Sequence, residues 1–352
     1  MVLPRRTFVL LALAGCLPRG GRTDEDAPAR DPEPGARPSS GAAGSVEGEA
    51  GGGEAEADDE LAADDELASA RPPAVASGDP PPHVTSESAV PPTPASLKAR
   101  AAALRERYGP HGLSVRVERP FVIVSDEEPH VLRRHAEGTV RWAVERLERD
   151  YFDAPPLDIV EVWLLGDDES YRSHAKAVFG DEPDTPYGYF TPEHHALVMN
   201  IATGGGTLVH ELVHPYIESN FPACPSWFNE GLASLYEQCS DRDGRIWGLT
   251  NWRLQGLQET IGARRLPSFT TLLSTTRDEF YEQDPGSNYG QARYLCYWLQ
   301  EEGKLRDFYR DFRRDAAEDP TGLTTLRGHV GDDLTAFQRR WERFVLGLRY
   351  GG

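Results

Sequence analysis

The chain is poor in lysine, and its acidic residues outnumber its basic ones. Lysine occurs only at Lys98, Lys176 and Lys304, and 37 basic residues face 57 acidic ones for a formal charge of −20. A nucleic-acid partner needs a basic stripe, so that class is excluded. No run approaches the roughly 20 apolar residues that span a bilayer. No repeat of solenoid length occurs. Aromatic residues are absent from 17–96, a stretch with 17 acidic and 5 basic residues and much Gly, Ala, Pro and Ser. Such a stretch buries too little apolar surface to offset chain entropy, and it is expected to be a disordered acidic tether. Its near-repeat of Asp58-Asp59-Glu60-Leu61-Ala62 in Asp64-Asp65-Glu66-Leu67-Ala68 reads as a solvated, self-repelling spacer. The coil reach of 80 residues is roughly 50 Å.

What is present at the N-terminus is an address. Residues 1–16 combine the basic pair Arg5-Arg6, a short apolar run from Phe8 to Ala14, and small residues before Cys16. This is the layout of a signal peptide. Leu13-Ala14-Gly15-Cys16 resembles the bacterial lipobox, which implies a lipid on Cys16 and an exported, membrane-anchored protein in the cell envelope. Pro4-Arg5-Arg6-Thr7-Phe8-Val9-Leu10 also resembles a twin-arginine export motif.

Residues 97–352 hold every Trp and Tyr and are long enough for a folded unit. Periodicity predicts helices over 97–108, 130–151 and 170–179, and strands over 121–124, 158–165, 187–191 and 196–201. Beyond Gly204-Gly205-Gly206 it predicts helices over 207–219, 226–238, 251–261, 288–301, 304–315 and 332–347. The expected fold is α+β, a small and mostly antiparallel sheet half over about 97–202 followed by a mainly helical half over about 203–352.

The chemistry centres on His210-Glu211-Leu212-Val213-His214. Residues four apart share a helix face, so both imidazoles can reach one ion, and zinc accepts neutral imidazole. Catalytic zinc keeps three protein ligands, so a third is needed. Glu230 stands out as an unusual carboxylate in the first turn of a helix among Trp227, Phe228 and Gly231, with Ser226 the expected cap. One feature disturbs the pattern. Pro215 removes the hydrogen bond back to Glu211 and predicts that the helix kinks or ends there. His194 and His195 are read as exposed imidazoles on a turn between strands. Cys224 and Cys239 are expected to be too far apart along a helix to bridge, while Cys296 could reach either, or no pair forms.

Trp227-Phe228-Asn229-Glu230-Gly231-Leu232-Ala233, following His210-Glu211-Leu212-Val213-His214, resembles the paired signatures of the gluzincin metallopeptidases, the group of thermolysin and aminopeptidase N. More loosely, 120–315 is similar to peptidase-MA-like domains of bacterial lipoproteins. The resemblance implies a thermolysin-like fold, a Zn²⁺ site of His210, His214 and Glu230, and Glu211 as general base in the hydrolysis of a peptide or protein substrate. It further implies an edge strand at Leu197-Val198-Met199-Asn200 for an extended substrate, and a tyrosine donor to the developing oxyanion, here Tyr289. No counterpart of the aminopeptidase amine-binding segment is present. The competing reading is a peptidase-like scaffold without activity that serves as a binding or structural lipoprotein. Oligomeric state is not legible in the sequence.

Overall fold

A computed structural model describes residues 91–191 and 193–350; the expected signal peptide, the lipobox and most of the tether lie outside them. The first helix begins earlier than 97. Thr93 and Ser96 form a reciprocal capping box around Pro94, so α1 (Pro94–Tyr108) starts inside the stretch assigned to the tether. Its buried residues Leu97, Ala101, Leu104 and Tyr108 recur at helical spacing.

The sheet is built from β1 (Ser114–Glu118), β2 (Phe121–Ser125), β3 (Glu161–Leu165), β4 (Gly188–Thr191) and β5 (Ala196–Asn200) in the order β1-β2-β3-β5-β4. Helical crossovers join its centre: α2 (Pro129–His135), a wide π turn over Ala136–Arg141, and α3 (Trp142–Asp150) before β3, then α4 (Asp168–His174) and a second π turn over Ala175–Phe179 after it. Such crossovers make β2, β3 and β5 parallel, with β1 and β4 antiparallel at the edges. The expected antiparallel sheet is therefore mixed. β2, β3 and β5 are buried at every position, as strands covered on both faces must be. Alternate residues feed two cores: Val122, Val124, Trp163 and Val198 meet α1, whereas Ile123, Val162, Leu164 and Leu197 meet the helical half.

The helical half runs α5 (Gly205–Asn220), α6 (Ser226–Leu235), α7 (Arg253–Gly262), α8 (Phe269–Leu273), α9 (Arg277–Glu282), α10 (Pro285–Glu301), α11 (Leu305–Asp315), α12 (Leu323–Val330) and α13 (Leu334–Gly347). Between α6 and α7 lies a hairpin absent from the sequence expectation, β6 (Cys239–Arg242) and β7 (Arg245–Gly248). Asp243 and Gly244 both adopt positive φ, as a two-residue type I′ turn requires. The predicted helix over 226–238 stops at Leu235 to enter this hairpin. Strand β1 and helices α8, α9 and α12 were likewise not anticipated. No described helix is long and apolar enough to cross a membrane.

Three further expectations are corrected. β5 lies between β3 and β4, so the edge next to it is β4 rather than Leu197–Asn200. Pro215 does not end α5, which continues to Asn220; five more helical residues follow the proline and its loss of one hydrogen bond is tolerated inside the core. Helix starts also differ: Pro225 precedes α6 in extended geometry and Ser226 is its first residue, while α10 begins at Pro285, three residues before the expected 288, with Asp284 preceding it.

Candidate metal centre

The segment from α6 to Glu237 is approached closely on two sides, by α5 and by α10. A Cβ on Gly206 would fall 1.9 Å from the Glu237 carbonyl oxygen, so the first turn of α5 rests on main chain just past α6. On the far side of α6, a Cβ on Gly231 would meet the Ala292 carbonyl at 3.0 Å and Cys296 Sγ at 3.1 Å, which seats α10 against the helix carrying Glu230. Arg293, fully buried on α10, donates from Nε to Ser234 O at 2.9 Å and from Nη2 to Leu249 O. It thereby closes the carbonyl end of α6, where a helix leaves acceptors unsatisfied.

This packing brings together His210, His214 and Glu230, whose ligand atoms lie within 4.8 Å of one another. His210 Nε2 is 3.2 Å and His214 Nε2 3.9 Å from Glu230 Oε2. The donor set fits a divalent cation on a specific observation: His210 Nε2 and Glu230 Oε2 are buried and have no hydrogen-bond partner among the described residues. Polar atoms so enclosed are ordinarily satisfied, and one ion at their convergence would satisfy them together. The remaining atoms of the three residues are held from outside. His214 Nδ1 pairs with Asn229 Oδ1 at 2.9 Å. Tyr281 donates its hydroxyl to Glu230 Oε1 at 2.6 Å, leaving Oε2 to face the imidazoles. His210 Nδ1 lies 3.4 Å from Glu237 Oε1, long for a hydrogen bond but an ion-pair distance. Glu237 in turn accepts Arg253 Nε at 2.9 Å and Nη2 at 2.7 Å, and Asn251 Nδ2 at 2.9 Å.

The electrostatics draw positive charge to the point of convergence. Burial opposes a charged His210, yet Glu230 and Glu237 outweigh it and raise its pKa to about 10. Burial likewise opposes the Glu230 carboxylate, but His214, His210 and Tyr281 hold it down to about 2. Glu211, adjacent to His210, is buried with neither oxygen hydrogen-bonded among the described residues. Burial pushes its carboxyl up, the two imidazoles pull it down, and the net shift is upward.

Tyr289 lies in α10, 2% exposed, with its hydroxyl unpartnered among the described residues and the Arg253 guanidinium 5.0 Å from its ring centroid. Burial first, and then the negative charge of Glu230, push its phenol well above the usual value. Tyr281, Glu237 and Arg253 are the site residues that the sequence did not single out. His194 and His195 are half-buried rather than exposed: His194 packs on Phe179 with ring centroids 5.3 Å apart, and His195 Nδ1 is 3.8 Å from Asp158. Neither belongs to the metal-ligand group found among the described residues. Cys224, Cys239 and Cys296 are free thiols, Cys296 fully buried. No protein-family model matches the chain, and no curated protein matches it.

Proposed function

We propose that this protein is a zinc-dependent peptidase of the gluzincin type, anchored to the cell envelope through a lipid on Cys16. The observation that carries the reading is one arrangement: three converging ligand atoms on two helices, with the unpartnered carboxylate of Glu211 beside the first of them. A zinc ion held by His210, His214 and Glu230 would supply Lewis acidity toward a scissile carbonyl and bring the pKa of water to about 7. Glu211 is assigned to take a proton from the attacking water and return it to the leaving amine; its upward shift suits a group that must both accept and release. Tyr289, kept protonated by its surroundings, is assigned as donor to the oxygen on which negative charge develops. Asn229, Tyr281 and the Glu237–Arg253 pair orient the ligands.

The second reading, a metal-holding scaffold without turnover, is favoured by one observation. His210, Glu211 and Glu230 are only 1%, 1% and 3% exposed, and of the four residues only His214 reaches solvent appreciably. The two separate in a single assay. Purified protein is incubated with casein, with chelator, and with zinc restored, while zinc content is measured in parallel. Cleavage lost to chelator and regained with zinc supports the peptidase. Stoichiometric zinc with no cleavage of any protein substrate supports the scaffold.

A further inference from the structure

The four exposed large apolar residues among those described are Leu249, Trp252, Leu346 and Tyr350. They fall in two short stretches, 249–252 and 346–350, that run side by side. Thr250 Oγ1 donates to Arg349 O at 2.9 Å, and Gln258 Nε2 donates to Val345 O at 2.9 Å and Leu348 O at 3.2 Å. Isolated exposed apolar residues are ordinary; all of them gathered at one place are not. The charge there also runs against the rest of an acidic chain. Arg343 and Arg349 are exposed and pair with no carboxylate among the described residues; Arg349 reaches only the carbonyl oxygens of Leu346 and Leu348. The carboxylates on these two helices are engaged elsewhere, Glu259 by Gln255 and Glu342 by Gln338.

We infer that this face, formed by the start of α7 and the end of α13, docks on an anionic lipid surface. Tryptophan and tyrosine have an apolar body with a polar edge and settle at the headgroup level. Leucine adds depth, and arginines free of protein carboxylates are available to lipid phosphates. A second copy of this chain is a poorer occupant, because it would set Arg343 and Arg349 against the same two arginines across a two-fold interface. Trp252 precedes Arg253, which binds Glu237 beside His210, so the docking face and the metal centre share a wall. The inference is independent of peptidase activity.

The test uses the full chain with vesicles of phosphatidylcholine alone or of equimolar phosphatidylcholine and phosphatidylglycerol, each carrying brominated acyl chains. The emission of Trp252 is isolated as the difference between wild type and Trp252→Phe. Because bromine quenches only indoles at the bilayer, the reading holds whether or not a lipid on Cys16 already retains the protein. The expected result is that phosphatidylglycerol vesicles quench Trp252 by about half, that high salt restores the emission, and that Arg343→Glu with Arg349→Glu abolishes the quenching. The inference is overturned if Trp252 stays unquenched on both vesicles, if the arginine reversals change nothing, or if concentrated protein alone shields Trp252 from iodide, which would mark a contact between copies.

Discussion

Glu211 and Tyr281 show how differently two residues one contact from the same ligands bear on function. Glu211 touches neither a donor nor an acceptor among the described residues, so its replacement by glutamine removes a base and little else. Glu211→Gln is expected to retain zinc and melting behaviour while kcat falls by about 10²–10⁴; retained turnover at full metal occupancy would reassign the base. Tyr281→Phe removes the hydroxyl that occupies Glu230 Oε1 and frees that carboxylate to rotate. Zinc affinity, measured by chelator competition, is expected to weaken about 10–100-fold with the fold intact. An unchanged affinity would mean that packing alone holds Glu230. The two residues were not equally visible beforehand. Glu211 stands inside a pentapeptide whose spacing states its geometry. Tyr281 is 51 positions from Glu230, on a six-residue helix without amphipathic periodicity, and only the tertiary fold makes them neighbours.

Among the elements, those carrying the ligands were legible because local rules and burial agree. The i, i+4 histidines require a helix, and Leu208, Leu212, Val213 and Ile217 give that helix its buried side. Pro215 argued for a break, but the surrounding core outweighs a single missing hydrogen bond. β1 is hard to read from the sequence because Arg116 interrupts a short, half-buried strand, although Val115 and Val117 do alternate. The β6–β7 turn is legible in Asp243-Gly244, a dipeptide suited to a type I′ turn, whereas the expected helix over 226–238 overruns the true end of α6 by only three residues. Nothing local marks Arg293 as the group that closes α6, since its acceptors belong to residues 44 and more positions away. Arg293→Met should leave the Leu249 carbonyl without its guanidinium donor, while Ser234 O keeps the Glu237 backbone N–H, and cost about 1–3 kcal/mol, read as a lower urea midpoint. A change within about 0.5 kcal/mol would show that the carbonyl finds another donor.

At the scale of the whole molecule, the candidate metal centre lies among residues packed on the core that the sheet shares with the helical half, so a bound ion would be coupled to global stability. An ion that binds only the folded state at 100 times its dissociation constant adds about 2.7 kcal/mol. For a domain of this size that corresponds to a melting temperature higher by about 5–10 °C. Zinc is expected to produce this rise in the wild type and not in His214→Ala, as followed by scanning calorimetry. Equal shifts in both proteins would place the stabilising ion elsewhere.

The contact of Gly206 with the Glu237 carbonyl bears on which ion the candidate site would prefer. It is made by main chain on both sides, so the gap between α5 and α6 is set by atoms that have no rotamers with which to adjust. If an ion is held by His210, His214 and Glu230, that fixed spacing would limit how far the ligands can spread around a larger cation. Discrimination among ions of similar chemistry would then rest on a residue that offers no donor atom at all. Gly206→Ala keeps His210, His214 and Glu230 but widens the gap. It should therefore shift the ratio of cadmium to zinc affinity toward cadmium, and an unaltered ratio would locate the gauge in the side chains instead.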